Sequence, residues 1–198
     1  MENEAIRVEV SARHVHLCRN DVEILFGAGA KLTHSRDLSQ PGEFLANEKV
    51  DIVGPKNIIK GVAVLGPERI ASQVEVAMTD TFILGILAPV RESGNTEGSP
   101  GVRLIGPNGS VDLSEGLIVA KRHIHMTPEH AEQFGVQDKQ IVSIAVKTDR
   151  PLIFGDVVVR VKPTFALSMH VDTDEANACC IPKAGTQGYI VKDVPNLL

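Results

Sequence analysis

Two histidine pairs stand in near-identical surroundings, Ala12-Arg13-His14-Val15-His16-Leu17 and Lys121-Arg122-His123-Ile124-His125-Met126. They hold four of the chain's seven histidines, so imidazole is concentrated where two rings can act together. Each pair follows an Arg and encloses a β-branched residue. In extended backbone, residues two apart point to the same side, so each pair delivers two imidazoles to one spot. Two imidazoles on a stiff strand make half of a metal site, and two copies predict two sites. One such pair alone is weak evidence, because two hydrogen-bonded imidazoles on a polar strand face look the same in sequence.

The elements that would carry these pairs repeat as well. Ile6-Arg7-Val8-Glu9-Val10 alternates apolar and polar residues and reads as a strand. After the first pair, Asn20-Asp21-Val22-Glu23 reads as an N-cap with Glu at N3, opening a short helix that ends at Phe26-Gly27. Before the second pair, Gly116-Leu117-Ile118-Val119-Ala120 reads as a strand. After it, Thr127 is the expected N-cap, Pro128 takes the first helical position, and Phe134-Gly135 ends the helix. Strands are expected at 49–53, 61–65 and 72–76, separated by Gly-Pro turns at 54–55 and 66–67. In the second half they are expected at 140–146, 151–154, 157–161 and 167–171. Residues 31–48 read as a polar excursion and 91–101 as a mobile loop.

Aligning the halves with one gap sets Gln73-Val74-Glu75-Val76-Ala77-Met78-Thr79-Asp80 against Ser168-Met169-His170-Val171-Asp172-Thr173-Asp174, pairing Glu75 with His170. Each half then offers three donors, His14/His16/Glu75 and His123/His125/His170. Catalytic zinc sites use three His or carboxylate ligands and leave a position open, whereas closed structural sites prefer four ligands with cysteines. The expected class is mainly β: two β-barrels related by internal duplication and capped by short α-helices.

Composition narrows the function classes. A chain of 198 residues can bury a core as one large or two small domains. Aromatics are few (six Phe, one Tyr, no Trp) while Val, Ile, Gly and Pro abound, which favours short strands and tight turns. A net charge of −5 and the lack of interleaved basic and aromatic residues argue against nucleic acid. No apolar run approaches the ~20 residues of a membrane span. Met1-Glu2-Asn3-Glu4 lacks the basic and apolar regions of a signal peptide. Cys18, Cys179 and Cys180 are odd in number, so reduced thiols in the cytoplasm are expected. His34 and His130 read as surface or capping residues. Arg69 leaves a turn six residues before Glu75, and its planar fork suits phosphate or carboxylate; a solvated surface Arg is the plain alternative. Arg13 and Arg122 flank the His pairs. Neither a Gly-x-x-x-x-Gly-Lys-Ser/Thr phosphate loop nor a Gly-x-Ser-x-Gly nucleophile elbow occurs.

Five segments together resemble the PduL-type phosphotransacylases (phosphate propanoyltransferases). They are Ser11-Ala12-Arg13-His14-Val15-His16-Leu17, Leu65-Gly66-Pro67-Glu68-Arg69 running into Gln73-Val74-Glu75-Val76, Lys121-Arg122-His123-Ile124-His125-Met126, Phe154-Gly155-Asp156-Val157-Val158-Val159-Arg160-Val161, and Met169-His170-Val171-Asp172-Thr173-Asp174-Glu175-Ala176-Asn177. The likeness runs from about residue 6 to 190 in the family's order. It implies the reversible reaction acyl-CoA + phosphate = acyl phosphate + CoA, at a two-zinc site between two barrels, in a homodimer. It implies that the first strand crosses to the C-terminal barrel, so that 13–120 form one barrel and 1–12 with 121–198 the other. By this resemblance His14, His16 and Glu75 hold one metal and His123, His125 and His170 the other. Arg69 handles phosphate, and Ser11, Leu65 and Asn177 lie near the CoA. Co or Mn suits such ligands as well as Zn. Many relatives carry an N-terminal helix that directs them to bacterial microcompartments of propanediol degradation. The few residues before the first strand here are too short for it, which implies a cytosolic form or a shortened N-terminus.

Metal coordination favours a deprotonated thiol, so one site would stabilise the leaving CoA thiolate. The other would hold phosphate or polarise the thioester carbonyl. The main rival is a binuclear thioester hydrolase using water in place of phosphate. Others are a cupin-like single-metal barrel and a metal-buffering module without turnover.

Overall fold

The computed structural model describes residues 4–191; residues 1–3 of the acidic N-terminus and 192–198 of the second expected domain lie outside the described residues. In chain order come β1 (Ile6–Val10), β2 (His14–Cys18), α1 (Arg19–Phe26), β3 (His34–Asp37), β4 (Phe44–Val53), β5 (Ile58–Arg69), β6 (Gln73–Val76), α2 (Met78–Leu84) and β7 (Val90–Arg91). Then follow β8 (Val102–Ile105), β9 (Ser110–Leu113), β10 (Leu117–Ala120), β11 (His123–Met126), α3 (Pro128–Phe134), β12 (Ile141–Val146), β13 (Leu152–Val161), β14 (Ser168–Val171), α4 (Thr173–Cys179) and β15 (Thr186–Val191). The chain divides into two compact units: Ala12–Ala120, and the N-terminal segment up to Ser11 together with the chain from Lys121 onward.

The second of these units is a closed barrel with strand order β1-β14-β11-β13-β12-β15. Its first strand comes from the far end of the sequence, and β1 pairs in parallel with β14 and antiparallel with β15. Ile6, Val8, Ile124, Met126, Ile144, Val159 and Met169 fill its interior. The other unit is a nine-stranded sheet with the path β7-β10-β6-β2-β5-β4-β8-β9, and β3 attached to β4. Its core gathers Val15, Leu17, Leu25, Val50, Ile52, Val64, Val74, Leu104 and Leu117.

The duplication is carried in the pairing. β2 lies between parallel β5 and antiparallel β6, just as β11 lies between parallel β13 and antiparallel β14. The strand before each His pair is also equivalent: β10 runs parallel to β6, and β1 parallel to β14. Closure is where the copies part. In the barrel one strand, β15, bridges β1 and β12. In the open sheet the matching edges are taken by two strands, β7 on β10 and β8 on β4, which do not pair with each other.

Several local expectations change. Gly66-Pro67 lies inside β5, not in a turn, and its peptide bond is cis. A Cβ at Gly66 would overlap the Phe44 ring on the facing strand. Pro67 falls where the β2–β5 register shifts between His16 and Cys18, a bulge that needs no donor from it. The N-cap of α1 is Cys18, without a side-chain cap, so Asn20 lies within the helix. Thr127 caps α3 as the sequence reads, accepting from the His130 amide, and Gly135 closes it at φ 65. Helices α2 and α4, the β8–β9 hairpin and β15 were not foreseen. The hairpin turns at Asn108-Gly109, where the Gly106 amide donates to the Gly109 carbonyl at 2.9 Å. No helix among the described residues is long and apolar enough to cross a membrane.

Candidate metal centres

On β2, Val15 and Leu17 are fully buried in the core, which turns His14 and His16 to the opposite face. On β11, Ile124 and Met126 do the same for His123 and His125. Antiparallel pairing then sets the third donor directly across from the first histidine: Glu75 on β6 opposite His14, and His170 on β14 opposite His123. Directly paired residues share a face, so three side chains converge in each unit. In each set one donor atom per residue lies within 4.8 Å of the others.

In the open sheet His14 Nε2 and His16 Nε2 are 3.2 Å apart. Glu75 Oε2 stands 3.5 Å from the first and Oε1 3.7 Å from the second. A tetrahedral ion with bonds of ~2.05 Å requires donor–donor edges of about 3.3 Å, so the three donors fit one divalent cation. The barrel set is built of rings, with centroids 4.6 Å apart for His123–His125, 5.4 Å for His123–His170 and 5.1 Å for His125–His170.

Backbone carbonyls select which nitrogen of the first histidine in each pair could ligate a metal. His14 Nδ1 lies 2.9 Å from the Ala12 carbonyl and His123 Nδ1 2.8 Å from that of Lys121. A carbonyl only accepts, so Nδ1 carries the proton and Nε2 keeps its lone pair for a metal. Nδ1 of His125 is buried without a hydrogen-bond partner among the described residues, and the Leu65 backbone lies beside the His16 ring. Burial, then the His14 charge, pushes His16 down to about 3. Burial, then the neighbouring His123, His170, Arg160 and Lys162 charges, pushes His125 down to about 2. Both rings are therefore neutral at pH 7, the form that binds metal. For His14 burial also acts downward, but the Glu75 carboxylate outweighs it and the net shift is upward. Burial alone would raise Glu75; His14 and His16 override it and hold the carboxylate well below its usual range.

The open sheet adds a chain of contacts that sequence reading missed. Gln73 Nε2 donates to Glu75 Oε1 at 2.6 Å and to Ser93 Oγ at 2.8 Å. The Gly94 amide donates to Gln73 Oε1 at 2.9 Å. Arg69, at the end of β5, donates from Nη1 to the same Ser93 Oγ at 2.9 Å and has Nη2 3.5 Å from Glu43. The start of the segment expected as a mobile loop is thus tied to the candidate metal ligands. Gln73 was findable, since it lies two residues from Glu75 on one strand face. Ser93 was not, because no periodicity links a loop to a strand.

Arg13 and Arg122 have equivalent partners. Arg13 Nε donates to Asp80 Oδ2 at 3.0 Å, and that oxygen also accepts from the Ala77 amide at 3.1 Å. Arg122 Nη1 donates to Glu175 Oε1 at 2.8 Å, while Glu175 Oε2 accepts from the Asp172 amide at 2.9 Å. Asp80 and Glu175 are each five residues beyond the third donor, at the start of α2 and α4. Each Arg therefore fastens its His strand to the helix that follows the third-donor strand.

Of the residues expected near CoA, Ser11 follows β1, its amide donating to the Val171 carbonyl at 2.8 Å. Leu65 is half-buried on β5 opposite His16, and Asn177 is exposed on α4. His34 is exposed and pairs with Asp37 at 2.7 Å, while His130 serves the α3 cap. The three cysteines are free thiols, half-buried at Cys18, buried at Cys179 and exposed at Cys180.

A family model described as phosphate propanoyltransferase matches residues 7–182. Similar proteins bearing that name include one from Enterococcus faecalis, 58% identical over 96% of this chain and 90% of its own length. Another, from Listeria monocytogenes, is 57% identical over 94% and 87%, and one from Thermotoga maritima is 55% identical over 94% and 89%. With the match spanning nearly the whole chain, the protein belongs to the phosphate propanoyltransferase family and is an enzyme, a phosphate acyltransferase.

Proposed function

We propose that the enzyme moves a short acyl group reversibly between CoA and inorganic phosphate, using a divalent cation in each triad, zinc first and cobalt or manganese as substitutes. The observation that carries this reading is the convergence of three donors in each of two duplicated units, with carbonyls holding Nδ1 of His14 and His123. A cation held by such ligands supplies Lewis acidity, polarising a thioester carbonyl or lowering the basicity of a leaving thiolate.

In the forward direction a phosphate oxygen attacks the thioester carbonyl carbon, a C–O bond forms and the C–S bond breaks. CoA departs as the thiolate, which takes up a proton from solvent. Arg69 binds and aligns the phosphate through its fork, and Ser93 fixes one arm of that fork. Gln73 holds Glu75 in orientation. Ser11, Leu65 and Asn177 contact CoA. No acyl-enzyme intermediate is required. We assign the working form to a cytoplasmic homodimer of the 21.3 kDa chain, measurable by light scattering.

The test is CoA release from a panel of acyl-CoAs, beginning with the propanoyl ester, with and without phosphate and with a chelated control. The proposal requires release that depends on phosphate and yields acyl phosphate. Release at the same rate without phosphate would instead identify a thioester hydrolase.

A further inference from the structure

The two triads differ in charge: one contains the Glu75 carboxylate and the other three imidazoles. The strand beside the third donor differs in the opposite sense. In the open sheet Ile118 of β10 is in register with Glu75, and in the barrel Glu9 of β1 is in register with His170. Ile118 is fully buried. Glu9 shares the face of His170, with Oε2 3.5 Å from His170 Nε2 and its side chain only 20% exposed. Arg7, two residues earlier on the same face, has Nε 2.6 Å from Glu9 Oε1, which leaves Oε2 toward the histidine.

The geometry points to Glu9 as the carboxylate of the three-histidine site, a positioning residue delivered by the strand that crosses from the chain's N-terminus. A divalent ion among three neutral imidazoles keeps its full double charge, whereas Glu75 removes one unit in the other site. Glu9 shares its charge with Arg7 through Oε1, and its Oε2 orients the His170 ring from the neighbouring strand, as carboxylates beside metal-bound histidines do. The crossing of β1 then has a chemical consequence as well as a topological one: residue 9 belongs to the site whose histidines begin at residue 123.

This inference rests on the reading of His123, His125 and His170 as a metal site, and the test separates the two. Cobalt or zinc affinity is measured against a competing chelator in the full-length His16→Ala protein, which isolates the three-histidine site. Adding Glu9→Gln should weaken that affinity about 10- to 100-fold, and Glu9→Asp should restore part of it. In the His125→Ala background, where only the His14/His16/Glu75 set remains, Glu9→Gln should change nothing. Equal affinity with and without Glu9→Gln overturns the role of Glu9, as does an equal loss in both backgrounds, the mark of a general structural effect. A His16→Ala parent that binds no metal overturns the metal reading of the three-histidine set itself.

Discussion

The closed barrel and the open sheet solve the same problem with the same parts and finish differently. Both set a His pair on a strand between a parallel and an antiparallel neighbour, and both place the third donor across from the first histidine. In the barrel, β15 completes the circle. In the sheet, the chain leaves β7, passes through residues 92–101 and returns as β8, and that interruption brings Ser93 and Gly94 onto Gln73, Arg69 and Glu75. Failure to close is thus what brings Ser93 onto Arg69, the phosphate-binding candidate, and Ser93 and Gly94 onto Gln73, which supports the Glu75 carboxylate. The barrel instead receives its carboxylate, Glu9, from β1. The two candidate centres share one frame and differ in the third donor, Glu75 against His170, and in how each sheet ends.

Removing the second histidine of either pair dismantles one triad and leaves the other. His16→Ala and His125→Ala should each lower kcat/KM on the order of 1,000-fold, the several kcal/mol expected when a Lewis acid is lost from the transition state. Steady-state assays would check this. If either variant kept full activity, the two centres would not both serve the reaction.

Arg69→Ala sharpens the inequality, because the barrel centre has no equivalent of the Arg69–Ser93 contact among the described residues. The loss of charge-assisted bonds to phosphate should cost about 10- to 100-fold in kcat/KM for phosphate. The effect on the acyl-CoA KM should be smaller and the metal content unchanged.

The paired arginines give a graded comparison. Arg13 faces Asp80, whose side chain is 1% exposed, while Arg122 faces Glu175 at 20%. Removing the partner of the more deeply buried carboxylate costs more. Arg13→Met should therefore destabilise the protein by about 2 kcal/mol and Arg122→Met by about 1 kcal/mol, read from denaturant unfolding. The reverse order would contradict the burial argument.

The two units also differ in their response to pH. His16 and His125 titrate at about 3 and about 2 in the metal-free fold, against about 6.5 in an unfolded chain. Below pH 6.5 the unfolded chain binds more protons at these positions, so stability falls as pH falls. Each group contributes a slope of at most about 1.4 kcal/mol per pH unit. His14 is shifted upward, so its contribution is fully present below pH 6.5 and is lost only as pH rises through its raised value. Below pH 6.5 it is therefore constant and leaves the slope set by His16 unchanged. Chelated His125→Phe should show a flatter fall between pH 7 and 5 than chelated wild type.

Much of this was legible in sequence because strand chemistry is periodic. Two residues apart means one face, so each His-x-His announced itself, and aligning the halves brought in Glu75 and His170. The α3 cap at Thr127 followed from a side chain that accepts its own helix's amide. What stayed hidden depends on pairing between distant segments. Glu9 is an ordinary polar residue of an alternating strand until β1 is known to lie on β14. Asp80 and Glu175 are recognisable as partners of Arg13 and Arg122 only in three dimensions. The capping box at Asp172 and Glu175 was visible as Asp-x-x-Glu but lay under the metal alignment. The Gly66-Pro67 pair deceived because its composition signals a turn, while the Phe44 ring against Gly66 and a register shift keep it within a strand.

If each duplicated unit binds its own metal, the two ions can be counted. Native mass spectrometry of purified protein reconstituted with zinc should give two ions per chain for the wild type. His16→Ala and His125→Ala should each retain one. A wild type holding one ion or none, or a single substitution that leaves both ions bound, would rule out one metal in each unit.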